Sequence, residues 1–215
     1  MKKLSPLPLI ALGFALLAAL PALGATGLAT AVFAGGCFWS MQHDMDPIKG
    51  VVSSVVGYTG GHLANPTYQD VVTETTGHYE SIKVTYDPAR ISYPQLVARY
   101  LRTTDPTDGG GTFCDRGASY RPAIFVANES ERAAAKAAIA QAQPMLKRPI
   151  ATQVLALGPF YPAEDYHQHY ARKNPEAYGE YRQGCGKDRV LKAVWAGYGQ
   201  WPPHTALSTR SLPQP

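Results

Sequence analysis

Apolar positions recur with two different periods along this chain, and the changes from one to the other mark its elements. Residues 30–34 form a short apolar run that predicts a strand, closed by Gly35 and Gly36. Phe38, Met41, Met45 and Ile48 then fall at helical spacing, which predicts a helix opening at or just before Cys37. Residues 51–58 are β-branched and apolar, the pattern of a buried strand. Ile82, Val84 and Tyr86 alternate with polar residues over 81–87, the pattern of a strand with one wet face. A helix is predicted over 92–102, capped by Ser92, with Leu96, Val97, Tyr100 and Leu101 inward. After a strand at 122–127, Asn128 and Glu131 form a capping-box pattern that opens an Ala-rich helix reaching 143. A last strand is predicted at 152–157. Long loops are marked by 59–62, by Asn65-Pro66 and by the Gly-rich stretch 105–119. Beyond Pro159 the pattern becomes irregular, with Pro162, Pro175, Gly184 and Gly186 and one short helix at 188–195. Interspersed strands and helices with no repeat and no internal boundary predict one two-layer α+β sandwich with a mixed sheet and an irregular C-terminal segment.

The ends of the chain read differently. Lys2 and Lys3 precede an uncharged apolar run over 7–23, followed by the small residues Gly24 and Ala25. This is the layout of a secretory signal peptide, with cleavage expected after Gly24. The expected organisation is therefore a signal peptide at 1–24, one domain at 25–199 and a disordered Pro-rich tail at 200–215. Export to the periplasm is the expected destination, with no stable membrane insertion after cleavage. The composition, 45% hydrophobic and 17% charged, excludes a disordered chain. The net charge of +4 includes Lys2 and Lys3, and no basic run accompanies it, so nucleic acid is not an expected partner. Three cysteines are too few for a disulfide scaffold and cannot all pair within one chain.

Among the candidates for chemistry, Cys37 stands first. It follows two glycines where a helix opens, a place where backbone N–H groups favour a thiolate. Its ordinary alternative is a small buried apolar residue. Glu80 shares strand parity with Ile82, Val84 and Tyr86, so its carboxyl is expected among apolar side chains, with a raised pKa suited to proton donation. Its alternative is a strand-end carboxylate in solvent. Tyr58 and Tyr120 flank strands and can aim phenols over a pocket, but thirteen tyrosines make neither distinctive. His78, His167 and His169 have no metal-ligand spacing, and no metal is expected.

In one order along the chain come Gly36-Cys37-Phe38-Trp39, Gly57-Tyr58-Thr59-Gly60-Gly61, Asn65-Pro66-Thr67-Tyr68, Thr76-Gly77-His78-Tyr79-Glu80, Tyr86-Asp87-Pro88, Asp105-Pro106-Thr107, Asp115-Arg116-Gly117, Ser119-Tyr120-Arg121 and Ala163-Glu164-Asp165-Tyr166-His167-Gln168. That series resembles the A-class peptide-methionine sulfoxide reductases, over nearly the whole chain after the leader. The resemblance implies a ferredoxin-like sheet and reduction of the S epimer of methionine sulfoxide, protein-bound or free, as repair of oxidised exported proteins. It implies Cys37 as the nucleophile that attacks sulfur, Glu80 as the acid that protonates the sulfoxide oxygen, and Tyr58 and Tyr120 as phenols bonded to that oxygen. Phe38 and Trp39 would wall the S-methyl pocket, and Asp115 would belong to the polar network. No bound cofactor is implied; a thioredoxin-like donor would supply electrons to a monomeric enzyme.

Three departures accompany the resemblance. Gln42 stands where the family often has Glu. Gly179, not Cys, follows Tyr178, which leaves Cys185 as the C-terminal candidate to resolve a Cys37 sulfenic acid through an intramolecular disulfide. Cys114 has no assured family role; it reads as a partly buried free thiol or, if near Cys37, an alternative partner. Two other classes stay open at this level: a cysteine hydrolase using His78 or His167 as base, and a non-catalytic module binding methionine-rich or oxidised peptides.

Overall fold

A computed structural model of the chain describes residues 27–196; the leader expected at 1–24 and the tail expected at 200–215 lie outside the described residues. Its frame is a six-stranded mixed sheet. In chain order the elements are β1 (Ala29–Ala34), α1 (Phe38–Met45), β2 (Val51–Thr59), α2 (Tyr68–Val71), β3 (Tyr79–Tyr86) and α3 (Tyr93–Arg102). A two-stranded ribbon follows, β4 (Gly111–Thr112) with β5 (Asp115–Arg116), then β6 (Ala123–Val126), α4 (Glu129–Ala142), β7 (Gln153–Ala156) and β8 (Tyr161–Pro162). Three helices end the described residues: α5 (Tyr170–Lys173), α6 (Pro175–Gly184) and α7 (Lys187–Val194).

The sheet order is β7-β6-β1-β3-β2-β8, antiparallel throughout except for the parallel pair β6 and β7. Its four central strands, with α1 and α3 as the connections, trace the split β-α-β path of ferredoxin-like folds. Along β1, Ala31 and Phe33 enter the main core while Val32 and Ala34 enter a smaller one with Tyr79, Ala123 and Phe125. Both faces of β1 are thus buried, which explains its unbroken apolar sequence. On the main face α1 inserts Phe38, Met41 and Met45, and α3 inserts Leu96, Val97, Tyr100 and Leu101. In α4, Ala135, Ala138 and Ala142 form the buried stripe.

Caps fix the helix starts as the sequence indicates. Ser92 accepts from the Gln95 amide in a reciprocal capping box, and Asn128 accepts from the Glu131 amide at 2.9 Å. Tyr100 stacks on Phe33 with ring centroids 4.6 Å apart, and its hydroxyl donates to the Ala34 carbonyl. This ties the end of β1, one step before the two glycines, to α3. Gly36 has φ +85°, and a Cβ there would collide with the Thr112 side chain. The turn that presents Cys37 therefore requires glycine.

Four elements differ from the sequence pattern, the first being the loop expected at 105–119, which carries the ribbon β4–β5. The strand at 152–157 is not the last, because two-residue β8 pairs with β2 through Gly57↔Pro162 and Tyr58↔Tyr161. The loop containing Asn65-Pro66 carries α2, opened by a Thr67–Asp70 capping box. The segment after Pro159, read as irregular with one helix at 188–195, holds α5, α6 and α7. Pro175 starts α6 at a position where its missing N–H is no loss, and Gly186 joins α6 to α7 with φ +62°. Those residues interrupt periodicity in the sequence while marking helix ends in the structure. No helix among the described residues is long and apolar enough to cross a membrane.

Candidate active site

Cys37 is the N-cap of α1, and its thiol is buried. Of the backbone amides beside it, that of Trp39 hydrogen-bonds the sulfur, while those of Phe38 and Cys37 serve carboxyl groups. Phe38 N donates to Glu80 Oε2 at 3.0 Å, and Cys37 N donates to Asp115 Oδ2 at 3.4 Å. Two carboxyl groups thus occupy the start of the helix. Burial pushes the Cys37 thiol well above the ordinary cysteine range, and the nearby Glu80 and Asp115 push it further, against a hydrogen bond from Tyr181. This corrects the expectation of a helix-stabilised thiolate: desolvation outweighs the Trp39 amide and the macrodipole, and two of the other helix-start amides are used by Glu80 and Asp115.

Glu80 occupies the expected face of β3. It is 2% exposed and stands directly across from Tyr58 on β2. Burial raises its pKa to about 8, although the Phe38 amide and the Tyr120 phenol favour its charged form. At neutral pH it holds a proton. Asp115, half-buried at the ribbon, is raised in the same direction by desolvation; Tyr181 of α6 donates to its Oδ2 at 2.7 Å.

The tyrosines sort differently from the expectation. Tyr58 is fully buried, and its hydroxyl donates to Glu164 Oε2 at 2.9 Å, so it is committed to a structural bond rather than to Glu80's pocket. Tyr68 takes the neighbouring place. Burial and then the charges of Glu80 and Cys37 raise its phenol, which hydrogen-bonds with Tyr120. Tyr68 N donates to Glu164 Oε1 at 2.8 Å, so one carboxylate anchors both tyrosines. Tyr120, as expected, faces Glu80, and burial raises its phenol.

Phe38 and Trp39 line the same region. Trp39 stacks on Tyr170 with centroids 3.8 Å apart, and its Nε1–H donates to His167 Nδ1 at 3.0 Å. That bond puts the proton of neutral His167 on Nε2, and burial lowers its pKa. Phe38 lies 5.0 Å from the same imidazole, centroid to centroid. Gln42 is buried behind this wall; it donates to Ser54 Oγ at 3.0 Å and accepts from His169 N at 2.6 Å. The side chains acting on the Cys37 thiol are Glu80, Asp115 and Tyr181, and no histidine is among them. His78 instead accepts from Gly61 N and meets the Leu63 carbonyl at 2.7 Å.

The sequence model of the family described as peptide methionine sulfoxide reductase matches residues 29–198. The chain belongs to this family. Peptide methionine sulfoxide reductase MsrA 2 of Caulobacter vibrioides is 54% identical over 177 residues, covering 82% of this chain and 90% of the relative. Among solved structures, methionine sulfoxide reductase A of Corynebacterium diphtheriae matches with TM-score 0.63 and 33% identity over 71% of this chain and 77% of that one. Reduced Mxr1 of Saccharomyces cerevisiae matches with TM-score 0.67 and 28% identity, over 71% and 88%. The protein is an oxidoreductase of the methionine sulfoxide reductase type.

In this reductase the intramolecular disulfide joins Cys114 to Cys185, with Cα atoms 4.9 Å apart, and Cys37 is free. The pairing expected from the sequence, Cys37 with Cys185, is not the one present, and Cys114 is not a free thiol. Cys185 also sits at the C-cap of α6, not in a segment without regular structure. Sequence reasoning gave no role to Tyr68, Glu164, Gln168 or Tyr181, and to His167 only that of a candidate hydrolase base. The first three lay in the motifs named above, and Gln168 clamps β2 by bonding both Val56 N and Val56 O. Tyr181 carried no signal: it lies on an unforeseen helix.

Proposed function

We propose that the enzyme reduces the S epimer of methionine sulfoxide, in proteins and as the free amino acid, with Cys37 as nucleophile and Glu80 as proton donor. The observation that carries this reading is a buried thiol next to a carboxyl that burial keeps neutral, with Phe38 N joining the two. Sulfoxide oxygen leaves only as it gains a proton, so a neutral acid beside the nucleophile is what the reaction needs. As Cys37 sulfur attacks the substrate sulfur, Glu80 delivers its proton to the oxygen, and Tyr68 and Tyr120 hydrogen-bond that oxygen. The Cys37 thiol proton replaces the one Glu80 gives up and follows it to the oxygen, which leaves as water. A second water attacks the Cys37 sulfur, breaks the sulfur–sulfur bond and returns a proton to Glu80, so that methionine departs and Cys37 is left as a sulfenic acid. Phe38 and Trp39 provide the apolar wall for the S-methyl group. With methyl on that wall and oxygen towards the acid and phenols, the pocket is handed and suits one epimer. Asp115 orients the Cys37 backbone and the Tyr181 phenol.

The reductant is a thioredoxin-like dithiol protein. The disulfide calls for a dithiol donor, and yeast Mxr1 has also been solved in complex with Trx2. The enzyme acts as a monomer in the periplasm after removal of residues 1–24, repairing oxidised exported proteins; the basic, apolar and small-residue order of that leader supports this. Amino-terminal sequencing of protein from a periplasmic extract checks the destination. For the chemistry, Cys37→Ser is expected to lose turnover of S-sulfoxide peptides down to background, while the wild type leaves the R epimer untouched. Substantial activity in Cys37→Ser, or equal rates on both epimers, would overturn the assignment.

A further inference from the structure

We infer that the reduced enzyme carries a binding site for a thiophilic divalent cation of the zinc type, made by the thiolates of Cys114 and Cys185 and by Oδ1 of Asp115. Filling this site and closing the Cys114–Cys185 bridge exclude one another, so the bound ion protects the pair from oxidation.

The three ligand atoms are already gathered. The two sulfur atoms and a carboxylate oxygen of Asp115 all lie within 4.8 Å of one another, and Cys114 Sγ stands 3.7 Å from Asp115 Oδ1. Zinc binds thiolate sulfur at about 2.3 Å and carboxylate oxygen at about 2.1 Å. On a tetrahedral ion two thiolates are therefore about 3.8 Å apart, and a thiolate and a carboxylate oxygen about 3.6 Å apart. The Cys114–Asp115 separation already meets the second requirement. Reduction of the bridge takes the two sulfurs from bonded to non-bonded separation, which meets the first. No ligand spacing in the sequence marks this site, because Cys185 lies 71 positions beyond Cys114.

Asp115 is oriented for this role by what its other oxygen holds. Oδ2 accepts from the Tyr181 hydroxyl at 2.7 Å and from Cys37 N at 3.4 Å, which leaves Oδ1 turned towards Cys114 Sγ. A ligating carboxylate steadied by hydrogen bonds to its outer oxygen is a common support of metal sites. Charge suits the site as well. Two thiolates and a carboxylate around a divalent ion sum to one negative charge. Buried Lys187, two positions after Cys185, places its Nζ 4.9 Å from the ring of Phe113, the residue before Cys114, and 2.9 Å from Asp44 Oδ2. Positive charge thus lies beside both cysteine loops. Cys114 is exposed and Cys185 half-buried, so the ion enters from solvent and keeps a water as its fourth ligand. Two sulfurs in the set favour zinc over magnesium or calcium.

Binding follows reduction. An external dithiol opens the bridge, leaving two thiols on the enzyme and a disulfide on the reductant. The ion then displaces both thiol protons to solvent and forms two metal–sulfur bonds, with no change in any oxidation state. With both sulfurs on the ion, neither is available as a nucleophile for disulfide formation.

The test uses the full chain, reduced with dithiothreitol, freed of it without air, and titrated with Co²⁺ as a spectroscopic probe and with Zn²⁺ against a chromophoric chelator. Reduced wild type is expected to take up one equivalent of either ion and to show the thiolate-to-cobalt charge-transfer band and the intense visible bands of a tetrahedral site. The bridged enzyme is expected to show neither. Cys114→Ser, a change at an exposed side chain, should bind Zn²⁺ about a hundredfold more weakly. Asp115→Asn should weaken it about tenfold, and Cys37→Ser should bind as wild type does. One equivalent of Zn²⁺ should also slow closure of the bridge by diamide at least about tenfold, as read by peptide mapping. Equal uptake by reduced and bridged enzyme, wild-type affinity in Cys114→Ser, or loss of the cobalt spectrum in Cys37→Ser overturns the site. No sulfoxide enters the titration, so its outcome is independent of the reading of Cys37 as nucleophile.

Discussion

Two glutamates at opposite ends of the site make the same contact and end in opposite states. Glu80 on β3 accepts the amide of Phe38, the first residue of α1; Glu164 accepts the amide of Tyr68, the first residue of α2. Each therefore has a helix start that favours a carboxylate. Glu80 is sealed in the core, and burial lifts its pKa to about 8. Glu164 is half-exposed; burial alone would raise it, but the Tyr68 amide and the Tyr58 hydroxyl hold it below the usual carboxylate range. Solvation, not the shared hydrogen bond, decides which becomes an acid and which an anchor.

The largest expected effect comes from removing the transferable proton. Glu80→Gln should lower the single-turnover rate by about 10²–10⁴-fold, the usual range for general-acid catalysis. Wild-type chemistry should decline as pH rises through about 8, where Glu80 ionises, and the Gln variant should lack that limb; a Gln variant within a few-fold of wild type removes Glu80 from the reaction. Next, Glu164→Ala should lower activity roughly tenfold, because Tyr68 N and the Tyr58 hydroxyl both lose their partner; a lost hydrogen bond to a charged group is worth about 1.5–3 kcal/mol. Tyr68→Phe should have a similar effect on turnover, whereas Tyr58→Phe should change it less than about threefold. The reverse ranking of the two tyrosines in steady-state assays would return Tyr58 to the pocket.

Smaller effects test the electrostatics directly. In oxidised enzyme Cys37 is the one free thiol among the described residues. At pH 7 it should react with iodoacetamide at least about tenfold slower than an unfolded cysteine, because its thiolate is scarce. Alkylation as fast as in the unfolded chain would restore the low-pKa thiolate. Linkage gives the smallest effect. Folded Glu80 keeps its proton where the unfolded residue, near its ordinary value of 4.5, has lost it. Its contribution to stability is therefore present below that value and is lost as pH rises to about 8. Glu80→Gln should gain relative to wild type across that window, by a Tm difference growing by at least about 2 °C in thermal melts. Glu164, lowered when folded, has the opposite sign: its contribution is lost as the pH falls into the acid range.

Much of this arrangement was legible in the residues. Parity on β3 placed Glu80 among Ile82, Val84 and Tyr86, and the glycine pair located the turn that presents Cys37. The Ser92 and Asn128 caps located two helices. These are local patterns, and local chemistry decides them. The choice between Tyr58 and Tyr68 was not local. Both stand in family-like motifs, and what separates them is Glu164, about a hundred positions away in the chain. The thiol's state was missed because helix position argued one way and desolvation the other, and only burial measures the second. The disulfide was missed because three cysteines allow three pairings and the C-terminal glycines read as an irregular segment rather than as helix ends.

The bridge between Cys114 and Cys185 spans 71 positions of sequence, and this has a thermodynamic consequence. Closing a loop of that length removes entropy from the unfolded chain worth roughly 4 kcal/mol at 25 °C. Cysteine oxidation thus changes how readily the whole domain unfolds. The form without the bridge is the one more open to heat and proteases, and the bridged form is the more durable.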